Sequence, residues 1–347
     1  METEQYTFVH ILDPGRADGA GDGDSGVRPG SAAPGKEDRL AILALALVPG
    51  GSPTSVRRLV RDHAPATVVR APANLLDNAD LTDQDRAFLE RLIAASPERL
   101  MVEAARQGDL AEQHSATILT FHDPGYPSNL REVGEAPPVL FVQGTLDAEK
   151  DSLSAAVVGT REASGDGLFR ARKVAKMLVE RDVVVVSGLA RGIDTAAHRA
   201  TLDAGGRTVA VVGCGLDRTY PPENVGLADA IAEHGAIVSQ FPFGSPPTQS
   251  HFPLRNKTMA LLSLVTIVVE AGPTSGAKMQ ANFALRMQAP KRHVFLMDSL
   301  IKGQTDHAWV RDFLERGAQP LRDIEDVLHV LPGWHAPPPD LQMRLFL

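Results

Sequence analysis

Six short runs rich in valine and isoleucine dominate the second half of the chain: SAAVVG, DVVVVSG, RTVAVVG, GAIVSQ, SLVTIVVEA and RHVFLM. Each is apolar at consecutive positions, so each must be covered on both faces, and segments of helical periodicity lie between most of them. Strands of that kind, alternating with helices, specify an α/β fold. The expected architecture is a Rossmann-like, mostly parallel sheet flanked by helices.

In open parallel sheets the ligand lies beyond the carboxyl ends of the strands, and four of those ends are distinctive here. The first run closes with Gly159, Thr160 and Arg161, and the second with Ser187, Gly188, Leu189, Ala190, Arg191 and Gly192. The third closes with Gly213-Cys214-Gly215, and the fifth with Glu270-Ala271-Gly272-Pro273-Thr274-Ser275-Gly276. Glycine lets the backbone turn sharply and lets a ligand reach its N–H groups. Each following helix brings its N-terminus, with free N–H groups, to the same rim. Arg161 and Arg191 add planar cations suited to phosphate. One such turn would be only a tight connection; four together with two arginines describe a phosphate-binding rim. The chain has no GxxxxGK[ST] and no GxGxxG after the first run. Triphosphatase and ordinary dinucleotide redox chemistry are therefore unsupported.

The rest of the chain divides by composition. Residues 1–38 end in a Gly-, Asp-, Ala-, Pro- and Ser-rich stretch (16–38) that buries too little apolar surface to order itself, so this segment is expected to be largely disordered. Residues 39–113 form a small helical domain: RLAILALALVPGGSPTSVRRLVRDH reads as helix, turn, helix with Ser55 as N-cap, and LTDQDRAFLERLIAA as a helix capped by Thr82. Such a helix pair is a packing unit or a grip on a nucleic-acid backbone. Residues 114–331 carry the sheet, led in by a strand, a Pro-Gly turn and a second strand that Pro137 and Pro138 place at an edge. Residues 332–347 form an extended tail.

A net charge of −8 excludes coating nucleic acid by bulk charge but leaves room for a local basic groove. The single cysteine, Cys214, permits no internal disulfide, and no apolar run reaches spanning length. With no signal-like N-terminus, a cytoplasmic protein is expected, with no membrane, metal or cofactor requirement.

SGLARGIDTAAH, GGRTVAVVGCGLDRTYPPEN, FPLRNKTMALLS and VVEAGPTSG, in that order, resemble the DNA-processing protein A (DprA, Smf) family. The resemblance runs from about residue 118 to 276 and includes the lead-in TFHDPGYPSNLREVGEAPPVLFVQG. It implies a non-enzymatic protein, usually a homodimer, that binds single-stranded DNA on a Rossmann-like domain. Such a protein protects incoming DNA and passes it to a RecA-type recombinase in natural transformation. The positions it implies for phosphate contact are Gly159, Thr160, Arg161, Ser187, Gly188, Arg191, Gly192, Arg255, Asn256, Lys257, Ser275 and Gly276. Phe252-Pro253-Leu254 is expected to be extended, with Arg255, Asn256 and Lys257 in the first turn of a helix. Cations there oppose the helix dipole unless an anion lies between them. After SG the family has a Leu-Ile-Thr-Ala-like helix, whereas this chain has Ala277-Lys278-Met279-Gln280-Ala281; no C-terminal winged helix is evident.

Other side chains carry alternatives. Asp194 and His198 share a helical face, either as an acid–base couple or with Asp194 as a first-turn acid. Tyr220, His251 and Phe252 either stack on bases or pack. Glu270 holds a sugar hydroxyl or pairs with an arginine. A glutamate expected of related phosphoribohydrolases is missing after Gly276, which leaves a nucleotide sensor as the alternative to a strand binder.

Overall fold

The computed structural model describes residues 35–287, 291–302 and 308–333. The expected disordered segment up to residue 34 and the expected tail from 334 lie outside the described residues. The chain forms two compact units. One comprises residues up to Ala148 with Gly213–Arg218 and Val238–Pro247, and the other comprises the remainder.

The first unit contains α1 (Lys36–Ala46), α2 (Pro53–Asp62), α3 (Pro65–Arg70), α4 (Asp83–Ala94), α5 (Pro97–Gln113), β1 (Ala116–Thr120), α6 (Ser128–Arg131) and β2 (Val139–Gly144). Lys36 to Asp38, assigned above to the linker, open α1, where Glu37 and Asp38 favour the N-terminal end of the dipole. Leu40 to Leu45 are all buried, as expected of a helix apolar all round. The N-cap of α2 is Ser52, not Ser55: Pro53 takes the first helical position, where its missing N–H costs nothing. Thr82 and Asp85 form a capping box on α4.

Strands β1 and β2 pair antiparallel, Ala116 with Gln143 through Thr120 with Val139. A buried arginine ties the helices to their connection. Arg57 Nε donates to Ala136 O (3.0 Å), Nη1 to Arg131 O (2.7 Å), and Nη2 to Leu130 O (3.2 Å) and Tyr126 Oη (3.0 Å). Tyr126 in turn donates to Pro137 O at 2.5 Å. Burial pushes the Tyr126 phenol up to about 12 and lowers the Arg57 pKa.

The second unit contains β3 (Ser154–Gly159), α7 (Gly165–Val179), β4 (Val184–Ser187), α8 (Ile193–Asp203), β5 (Thr208–Val212) and α9 (Val225–His234). Next come β6 (Ala236–Ser239), which straddles the division, α10 (His251–Leu262), β7 (Val265–Glu270), α11 (Gly276–Arg286) and β8 (His293–Met297). The unit closes with α12 (Asp298–Ile301), α13 (Ala308–Glu315), β9 (Gln319–Leu321) and α14 (Ile324–Leu328). Six of its strands lie in the order β5-β4-β3-β7-β8-β9, every pair parallel.

The core on one face joins Val157, Val185, Ile267 and Phe295 of the strands to Ala171 and Leu178 of α7 and Ala197 of α8. Helices α10 and α11 pack against each other and against β3. Strand β9 adds an edge not anticipated from the sequence; Pro320 is tolerated because the strand has only one neighbour. Among the described residues no helix is long and apolar enough to cross a membrane.

Candidate nucleic-acid interface

The chain leaves β3 toward β4 and β5, then returns to lay β7 on β3's other side. The strand order therefore reverses between β3 and β7, which is where open α/β sheets form their binding crevice. A cavity of about 420 Å³ opens there. Its first wall is the loop after β3, with Gly159, Thr160 and Arg161; its second is the loop after β7 and the start of α11, with Ser275, Gly276 and Ala277. Helix α10 supplies Phe252, Arg255 and Asn256, and Glu162, Ala190, Asp194 of α8 and Gln280 of α11 also line it.

The two flanking loops are held together by Thr160 N–H donating to Glu270 O at 2.7 Å. Ser275 caps α11 by accepting from Ala277 N at 3.3 Å, and Asn256 Nδ2 donates to Gly276 O at 3.2 Å. The α11 N-terminus thus faces the cavity with its partial positive charge. Arg161 is exposed and lies over the Phe252 ring, Cζ 5.0 Å from the centroid, and Tyr220 stands 5.9 Å from Phe252. Helix α10 starts at His251, so Phe252-Pro253-Leu254 are helical rather than extended. Proline fits a first turn, whose N–H groups lack helical partners in any case. Arg255 and Asn256 consequently sit one turn in, and both are buried.

Arg255 Nη1 lies 3.9 Å from Asp194 Oδ2. Burial raises the Asp194 pKa, and the Arg255 charge opposes that rise. Asp194 also accepts from Gly188 N (3.1 Å) and Ala190 N (3.4 Å), while Ser187 Oγ donates to Val157 O (2.7 Å). The amides of the loop after β4 are therefore engaged by the protein's own carboxylate. Gly192, at φ +74°, starts α8 against Thr160, whose carbonyl would lie 2.4 Å from a Cβ there. Ser187, Gly188 and Gly192 build the floor behind the cavity rather than its lining.

The remaining predicted cations stand apart. Arg191, 64 % exposed at its side chain, pairs with Glu223, which it holds below the usual carboxylate range. Lys257 is half-buried on α10, and among the described residues neither it nor Arg191 lines the cavity. Glu270 holds Ser164, the N-cap of α7: its carboxylate accepts from Ser164 Oγ (2.7 Å) and Ser164 N (3.2 Å). Asp194 and His198 form no acid–base couple, because His198 Nδ1 meets Thr208 Oγ1 at 2.7 Å and burial pushes the imidazole down to about 3. Gln280 was visible in the sequence only as part of a departing segment, yet it is 1 % exposed and lines the cavity.

Fold and crevice define an α/β protein with one helix N-terminus and two arginines, Arg161 and Arg255, at the switch point of a parallel sheet. Residues 117–332 match the family of DNA recombination-mediator protein A, and the chain belongs to that family. Protein Smf of Synechocystis is 43% identical over 220 residues, 62% of this chain and 54% of that protein, so this chain spans about half the length of that relative. The X-ray structure of DNA processing protein A from Streptococcus pneumoniae superposes with a TM-score of 0.64 at 30% identity, covering 86% of this chain and 99% of that one. A structure of DNA processing protein A from Helicobacter pylori, reporting its single-stranded-DNA binding mode, matches with a TM-score of 0.52 at 26% identity over 61% of this chain and 93% of that one.

Proposed function

We propose that this chain binds single-stranded DNA through the crevice between β3 and β7 and acts as a recombination mediator by binding, not by catalysis. The observation that carries the reading is the convergence of the α11 N-terminus, Arg161 and Arg255 on one cavity, with Phe252 beneath Arg161. Amides and guanidinium groups suit phosphate, while an aromatic ring offers a face on which any base can stack. Family membership and the strand-binding relative from Helicobacter support the same reading. A mediator of this kind hands its strand to a RecA-type recombinase, protects incoming DNA during transformation, and works as a homodimer.

The test is a fluorescence-anisotropy titration with single- and double-stranded oligonucleotides of mixed sequence at several salt concentrations. The expected result is a preference for the single strand and a linear loss of log affinity with log salt, since phosphate contacts release counterions. Equal affinity for both forms, or no binding at low salt, would overturn the proposal. Deoxynucleoside monophosphates as competitors separate strand binding from nucleotide sensing: a monophosphate that binds more tightly than the oligonucleotide favours the sensor.

A further inference from the structure

A buried carboxylate in the lining is at odds with a cavity that receives phosphate. Glu162 also lines the cavity, but it is exposed, and water screens its charge. Asp194 is different: its side chain is 7 % exposed, beside an Arg255 side chain that is 6 % exposed. A fixed negative charge in that setting repels an incoming phosphate. By charge alone Asp194 has a cost and no use, and the use has to come from its geometry.

Asp194 is the second residue of α8, where the helix dipole favours an acid, and its Oδ2 accepts from Gly188 N at 3.1 Å and Ala190 N at 3.4 Å. Its place is therefore fixed by α8 and the loop after β4, independently of α10. Arg255 arrives from α10 and brings Nη1 to 3.9 Å from that same oxygen. This is close enough for charge attraction and too long for a hydrogen bond. The carboxylate thus attracts the guanidinium without taking a hydrogen bond from it. A buried guanidinium whose counter-charge is removed is strongly disfavoured, and a long, flexible side chain escapes by swinging out to water. The anchored carboxylate removes that incentive.

We propose that Asp194 is a positioning residue, which draws Arg255 into the cavity of the DNA-free protein so that a phosphate of the strand meets a cation already in place. The inference rests on the strand-binding reading above. It gives Asp194 an effect opposite to its charge, since one anion here strengthens the binding of another. The gain is preorganisation: the ordering of a flexible side chain is completed before the strand arrives and no longer subtracts from its affinity.

The experiment titrates a single-stranded oligonucleotide of mixed sequence, across salt, into the full chain, Asp194→Asn, Arg255→Ala and the double variant. Asparagine keeps the size of the side chain and an oxygen for the Gly188 and Ala190 amides, and loses only the charge. Asp194→Asn should weaken binding about five- to tenfold and lower the magnitude of the salt slope by about 0.7, the share of one single-strand phosphate. Arg255→Ala should show the same loss of slope. With Arg255 gone there is nothing to position and Asp194 acts by charge alone, so adding Asp194→Asn to Arg255→Ala should tighten binding. That reversal of sign is beyond a merely structural role, which would weaken binding in both backgrounds. Tighter or unchanged binding by Asp194→Asn alone overturns the inference, and so does a loss in both backgrounds. If Asp194→Asn does not fold, the DNA-free parent decides. NMR relaxation of its arginine Nε–H groups should give Arg255 an order parameter near the value of about 0.85 for rigid backbone, and the exposed Arg191 one below about 0.6. Equal mobility of the two side chains overturns the inference. If the parent binds no strand, the functional reading fails instead, while the relaxation measurement still reports whether Arg255 is held.

Discussion

Gly188 and the Arg255 guanidinium compete for one volume: a Cβ on Gly188 would lie 1.3 Å from Arg255 Nη1 and 2.8 Å from Asp194 Oδ2. The arginine of α10 therefore reaches the cavity only because the residue that follows strand β4, Gly188, has no side chain. The sequence pattern puts both residues against the ligand. The structure makes one of them the clearance that the other needs.

Gly188→Ala should accordingly displace the Arg255 side chain. Single-stranded-DNA affinity should fall by about tenfold or more, the usual scale for removing a hydrogen bond to a charged group. Overpacking should also cost about 1–3 kcal/mol of stability. Gly226→Ala is the control, because a Cβ there meets nothing within 4 Å. Anisotropy titrations and urea unfolding of both variants check the pair; equal affinities for the two would contradict the packing argument.

The two arginines singled out from the sequence should behave differently. Arg161 lines the cavity, so Arg161→Ala should lower the magnitude of the salt slope by about 0.7 for each single-strand phosphate it no longer neutralises. Arg191 is held by Glu223 outside the lining, so Arg191→Ala should weaken binding only slightly, at low salt, and change the slope much less than Arg161→Ala does. Titrations at four salt concentrations distinguish the two outcomes.

What the sequence disclosed and what it hid divide along a physical line. The parallel sheet was legible because valine-rich runs have no other use, and Gly159, Arg161, Ser275 and Gly276 could be grouped because each follows a strand whose end must reach the same rim. The crevice itself was not legible, since the adjacency of β3 and β7 is a matter of strand order rather than local pattern. Nor was the capture of the Gly188 and Ala190 amides by Asp194, which turns an apparent phosphate loop into a floor. The start of α10 at His251 was obscured by Pro253, which reads as a breaker although a first turn accepts it. Gln280 gave no local signal, because its meaning depends on which groups surround its amide.

Arg57 should be among the least replaceable residues of the first unit. Its guanidinium satisfies the carbonyls of Leu130, Arg131 and Ala136 in a buried setting. Arg57→Ala removes the side-chain donor from the Arg131 and Ala136 carbonyls, while Leu130 O keeps the Val133 N–H, and should destabilise by about 3–5 kcal/mol. Arg57→Lys should recover only part of this, since an ammonium cannot reproduce the planar fork. Urea midpoints at fixed pH check both values.

His198 should give the fold a measurable acid sensitivity. Thr208 Oγ1 donates its hydrogen to Val185 O at 2.7 Å, so it can only accept from His198, which places a proton on Nδ1. Burial first, and then the nearby Arg255 charge, hold the folded pKa at about 3 against an ordinary value of 6.5. Between those limits the unfolded chain binds a proton that the folded chain refuses, so stability is present above pH 6.5 and is lost as the pH falls toward 3. From pH 7 to pH 5 this single group should remove about 2 kcal/mol. Asp194, whose pKa is raised, acts in the opposite sense, because the folded state takes up its proton first. His198→Asn isolates the imidazole, since an amide nitrogen can still donate to Thr208. Urea unfolding at both pH values should show the parent losing about 2 kcal/mol more than the variant, and an equal loss in the two proteins would mean that His198 titrates normally.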